Sequence, residues 1–179
     1  MTRQTSLKTN SLDTRGIIIG GGIAGIIAGV VMAVAAMAFA GMMGLGFLAP
    51  LRMIAAALYG VDALIGGAEV LIAGLIIHMI VSAGFGIVFA ALLSPRASGG
   101  AAFGWGLLYS VVVLGIMTAG VLPWSNPTMA VRVPLMAGAW FFEHLVYGAV
   151  LAITPGWVRS FSVQRPLAEV TPYPERRAA

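Results

Sequence analysis

The sequence predicts an all-α integral membrane bundle of four transmembrane helices, with a short interfacial helix after the first. Three observations carry that expectation. Hydrophobic residues make up 60% of the 179 residues and charged residues only 9%, against roughly 25% charged in a soluble domain, so a water-facing surface could not be covered. The charges are also confined: none falls in 16–51, 70–95 or 97–131, and 133–158 holds Glu143 alone. Uncharged apolar runs longer than ~18 residues are long enough to cross a bilayer as helices. Finally, the basic residues gather in alternate connections, as they do where they set the orientation of membrane helices.

Taken in order, residues 1–15 are polar and carry Arg3, Lys8 and Arg15, which reads as a cytoplasmic tail. The first span covers about 17–42. Ala38-Phe39-Ala40 resembles a signal-peptidase site, but the apolar run before it exceeds the 7–15 residues of a signal core, which favours an uncleaved span. Pro50 is suited to a first helical turn, where its missing amide costs nothing. The stretch it opens, about 50–60, is too short to cross and fits a helix lying in the interface. Further spans follow at about 70–93, 101–122 and 134–154, so that the membrane domain occupies 16–157 and a polar tail 158–179. Trp124 stands at interface depth beside the turn Ser125-Asn126-Pro127.

With the N-terminus inside, Arg3, Lys8, Arg15, Arg96, Arg159, Arg165, Arg176 and Arg177 are cytoplasmic, and only Arg52 and Arg132 are outside. This bias predicts a bacterial plasma membrane protein with both termini in the cytoplasm. The formal net charge of +4 therefore speaks for lipid and orientation. It does not point to nucleic acid, since no basic face is interleaved with aromatics. With no cysteine in the chain, disulfides and thiolate metal sites are excluded.

The stretch IIIGGGIAGIIAG, 17–29, spells a dinucleotide-binding fingerprint at Gly20, Gly22 and Gly25. That fingerprint requires a soluble βαβ unit and an acidic residue about 20 positions on. Neither follows, since the next carboxylate is Asp62. A membrane helix accounts for the same residues: Gly21, Gly25 and Gly29 recur every four residues, Ala33 extends the row, and small residues in such a row let a second helix approach closely.

Three ionisable side chains fall within the predicted spans: His78, Glu143 and His144. Such groups are costly in hydrocarbon and face the bundle interior, which makes them functional candidates. His78 and His144 each lie about 14 Å along their helices, counting from Glu69 and Pro134, so they share a depth. Paired axial ligation of a b-type haem is one use, with Arg52 or Arg132 meeting the propionates. A hydrogen bond across the bundle, to Ser82, Tyr147 or a backbone carbonyl, is the other. Glu143 and the histidines could form a proton or cation pathway; alternatively Glu143 is one carboxyl satisfied inside the bundle, by Tyr147 one turn on. The methionines, including Met42, Met43 and Met53, suit Cu(I) but also serve as ordinary apolar filler. Serine-hydrolase, zinc-protease and nucleotide-loop motifs are absent from the sequence.

Each half of the chain carries a glycine-rich span, a proline-bearing connection and a span with one histidine, a weak echo consistent with parallel repeats. The segments GIAGIIAGVVMA, HMIVSAGFGIVFA and HLVYG, with His78, Ser82, His144 and Tyr147, resemble uncharacterised bacterial inner-membrane proteins of the YagU type and related small four-span families. The resemblance implies a multi-pass plasma-membrane protein and brings no firm activity. The expected role is non-enzymatic: a structural or accessory bundle that packs with itself or with a larger membrane complex.

Overall fold

The computed structural model describes residues 13–162, and among them every regular element is helical. Four helices are long and apolar enough to cross a membrane: Gly16–Met42, Ala68–Leu92, Gly99–Ser125 and Val133–Phe161. They are called the first to fourth spans below. A shorter helix, Ala49–Tyr59, follows the first span. Most of the two predicted tails, with Arg3, Lys8, Arg165, Arg176 and Arg177, lies outside the described residues.

The distribution of side chains is that of a protein solvated by lipid. The buried set is dominated by small residues, with Ala24, Ala28, Ala55, Ala63 and Ala102 fully enclosed. Large aliphatic and aromatic side chains such as Ile72, Ile80, Leu92, Phe103 and Trp105 point outward and are exposed. Water would penalise that surface. In hydrocarbon it costs nothing, and small residues at the helix contacts are what allow close packing.

The first span stops at a glycine cap. The Leu45 amide donates to the Ala40 carbonyl and the Gly44 amide to the Gly41 carbonyl, while Gly44 takes φ 73°. This is the Schellman arrangement, which satisfies the last carbonyls and reverses the chain. Pro50 stands in the first turn of the short helix, which ends at Gly60 with φ 59°. The short helix packs on the second span at Gly74, where a Cβ would overlap the Leu51 carbonyl.

Ser98 caps the third span by accepting from the Ala101 amide at 3.2 Å. This span runs past the expected end at Leu122 to Ser125. It does so by widening its turn over Ile116–Val121, just before Pro123, whose ring and missing amide cannot join a regular ladder. Ser125 returns a hydrogen bond to the Val121 carbonyl at 2.8 Å. The fourth span likewise continues beyond the expected end at Thr154. A tight turn at Leu151–Ile153 places Pro155 in the first turn of a new segment, Thr154–Phe161, where a proline is tolerated.

Two glycine crossings hold the bundle together. In one, Gly21, Gly25 and Gly29 of the first span lie against Ser82, Gly86 and Ala90 of the second, so closely that added Cβ atoms would overlap backbone or the Ser82 side chain. In the other, Gly106 of the third span lies against Gly148 of the fourth, and Ser110 lines the same contact. Tyrosines join the two pairs: Tyr109 donates to the Phe85 carbonyl at 2.8 Å and Tyr147 to the Ser82 carbonyl at 2.7 Å. At one end of the bundle Gly16 and Gly20 lie against the backbone of Trp157 and Val158, and Arg159 reaches the Pro95 carbonyl. That end thus gathers Arg15, Arg96 and Arg159. The opposite end gathers Arg52, Asp62, Glu69 and Arg132.

Candidate functional site

The bundle does not close everywhere. Where the first and second spans diverge from the third and fourth, a cavity of about 350 Å³ remains. This lies within the range of ordinary small-molecule pockets, roughly 300–1,000 Å³. Its walls come from all four spans, and residues of the short helix and of the turn at Asn126 line it at one end. The lining is mostly apolar. Against that background, His78, Glu143 and His144, the ionisable residues of the span interiors, all line this one cavity.

His78 sits on the second span and donates from Nε2 to the Gly29 carbonyl of the first at 3.0 Å. A carbonyl can only accept, so this bond puts the proton on Nε2, and in a neutral ring Nδ1 is an acceptor. His144 donates from Nδ1 to the Trp140 carbonyl of its own helix at 2.8 Å. Here Nε2 is the acceptor. The two rings line the same cavity. Trp140 packs edge-on against His144, with centroids 4.7 Å apart, and is itself held by donating from Nε1 to Thr118 of the third span at 3.0 Å.

Glu143 is 9% exposed, and among the described residues it has no hydrogen-bond or ion-pair partner. The expected bond from Tyr147 is not made, because the Tyr147 hydroxyl is committed to the Ser82 carbonyl. Glu143 and His144 are sequence neighbours that diverge by roughly 100° around the helix. Both nevertheless meet the cavity, because it wraps a broad face of the fourth span.

The other candidates are placed as follows. Gly21, Gly25 and Gly29 lie in the first glycine crossing, while Ala33 lines the cavity. Arg52, proposed to meet a haem propionate, donates to the Gly66 carbonyl at 3.2 Å, and Arg132 is turned back on the Thr128 carbonyl. Met42 and Met43 project outward, 77% and 63% exposed. Met53 instead lines the cavity with Met32, Met117, Met129 and Met136. No group of three or more His, Asp or Glu side chains suited to a metal ion occurs among the described residues.

Sequence reasoning passed over Asn126. Read as a turn residue, it is 3% exposed and ties the end of the cavity together. Its Nδ2 donates to the Met53 carbonyl of the short helix at 2.9 Å, and its Oδ1 accepts from the Met129 amide at 3.0 Å. The signal available was an amide side chain in an otherwise apolar segment, which requires partners wherever it is buried. Compared with protein-family models, curated proteins and solved structures, the chain matches none of them.

Proposed function

We propose that this chain is a membrane-embedded binding protein whose bundle forms a chamber for a small, largely apolar molecule. One observation carries the reading: the costly ionisable side chains of the spans converge on a single cavity of about 350 Å³ instead of being dispersed as isolated packing contacts. Pockets of that size with a few polar groups in an apolar wall are the usual form of a ligand site. The methionines support it as well, since their flexible thioethers adapt to ligands of different shape. A carrier or a cation pathway through Glu143 would be an elaboration of the same chamber.

The test is binding by the purified chain in mild detergent, with the neutral compound 1-adamantanol as probe. Ligand at ten times its dissociation constant stabilises the folded state by about 1.4 kcal/mol, which raises the unfolding temperature by a few degrees. A flat titration with 1-adamantanol and with its charged analogues sinks the chamber reading.

A second reading, a structural or accessory bundle, is favoured by a separate observation. Gly84, Gly100 and Gly104 have open space where a side chain would stand, so small-residue surface is left over for another helix. The row Gly21, Gly25 and Gly29 does not contribute, because the second span of the same chain occupies it. Cross-linking in native membranes tests this reading, and recovery of monomers alone rejects it.

In either case the proposed setting is a bacterial plasma membrane with both termini cytoplasmic. The support is the clustering of Arg15, Arg96 and Arg159 at one end, while acidic residues accompany Arg52 and Arg132 at the other.

A further inference from the structure

The polar groups around Glu143 in the chamber face it chiefly as acceptors. The hydrogen bonds of His78 to Gly29 and of His144 to Trp140 use each ring's N–H on a backbone carbonyl. What remains on each neutral imidazole is an acceptor. The Tyr147 hydroxyl has spent its proton on the Ser82 carbonyl, and the Trp140 N–H is spent on Thr118. The ionised form of Glu143 is likewise acceptor-only, and it lines the same cavity without a protein partner. A buried carboxylate with no counter-charge is strongly disfavoured, and a cation arriving beside it removes that penalty.

The nature of the cation follows from the rest of the wall. A small inorganic ion needs several ligands converging on a point, and no such cluster exists among the described residues. A quinone or a carboxylate presents acceptors or negative charge to a wall made chiefly of acceptors. An ammonium group carries three donors and is attracted to aromatic rings, and Phe85, Trp140 and Tyr147 are among the lining residues. Its apolar body matches the methionine and alanine lining.

Resting on the reading of the cavity as a ligand chamber, we propose that its ligand is a compact apolar molecule bearing a protonated amine, with the ammonium paired to Glu143.

The experiment titrates the purified full chain in detergent with three probes that share one apolar cage: 1-aminoadamantane, 1-adamantanol and adamantane-1-carboxylate. The amine is expected to bind at least tenfold more tightly than the alcohol, and the carboxylate most weakly. Glu143→Gln should remove the preference for the amine over the alcohol. Glu143→Asp, which keeps the charge, should retain the preference and guards against a Gln variant that fails to fold. Alcohol and amine binding equally, or an amine preference that survives Glu143→Gln, overturns this inference and leaves the chamber reading intact. Absence of binding by all three probes overturns both.

Discussion

The Tyr147 hydroxyl lies 2.7 Å from the Ser82 carbonyl oxygen and joins the fourth span to the second through a buried bond. The same carbonyl is the atom against which Gly25 of the first span is packed, so three spans meet at one peptide group. Tyr147→Phe preserves the ring and removes only the bond. Interhelical hydrogen bonds in membranes average about 0.6 kcal/mol, with a maximum near 1.7. Denaturant unfolding in mixed micelles should show Tyr147→Phe destabilised by about 1 kcal/mol, within that range. A variant as stable as the parent would show that the bond adds nothing in a membrane setting.

The glycine crossing predicts a contrast between near neighbours in the sequence. A methyl group at Gly25 would run into the Ser82 carbonyl and the Gly86 backbone, which have no room to retreat without parting the helices. At Gly22 the nearest atoms to a new Cβ are Ile87 side-chain carbons at 3.8 Å, an ordinary contact. Overpacking a tight contact costs typically about 1–3 kcal/mol, whereas alanine is the better helix former where space exists. Gly25→Ala should therefore unfold at clearly lower denaturant, and Gly22→Ala at the same concentration as the parent or higher. Equal behaviour of the two would mean that the first and second spans do not cross at this point.

What was legible in the sequence was whatever depends on one helix at a time. Charge-free runs disclose the spans because lipid excludes charge from any such segment, whatever its neighbours. The spacing of Gly21, Gly25 and Gly29 is visible for the same reason, as a property of one helical face. Their neighbour is not visible: nothing local says that Gly86 and Ser82 lie opposite them. The expected ends at about Leu122 and Thr154 fall just short of the observed ones, which run on past Pro123 and Pro155. Pro123 and Pro155 are absorbed by a widened and a tightened turn respectively. The shared depth of His78 and His144 could be counted along the sequence, but their opening onto one cavity depends on how four helices diverge. Asn126 was least legible, since its partner in the short helix, the Met53 carbonyl, lies 73 positions away.

The haem expectation can be judged from the nitrogen atoms. His78 spends Nε2 on the Gly29 carbonyl, so ligation would have to use Nδ1, the nitrogen beside its own Cβ. That geometry brings the helix against the porphyrin face and is unfavourable for axial ligation. Arg52 and Arg132 are engaged with nearby carbonyls. The chain purified after haem-supplemented expression is therefore expected to show no Soret absorption. A Soret band abolished in both His78→Ala and His144→Ala would establish haem ligation and require the His78 ring to leave Gly29.

Asn126 yields the sharpest test of how the chamber is closed. Its amide donates to the Met53 carbonyl while its oxygen caps the Met129 amide, so one side chain binds the short helix Ala49–Tyr59 to the turn before the fourth span. Asn126→Asp is almost isosteric and keeps the cap, but it sets an acceptor against the Met53 carbonyl where a donor stood. Asn126→Ala removes both bonds without adding repulsion. A buried polar group left unsatisfied costs about 1–3 kcal/mol, and more when it is charged. Asn126→Asp should therefore be the more damaging change at neutral pH, despite its closer shape. Amide hydrogen exchange should accelerate first within the short helix, ahead of the glycine crossings. Faster exchange in Asn126→Ala than in Asn126→Asp would show that the cap on Met129 holds this end of the bundle and that the bond to the short helix does not.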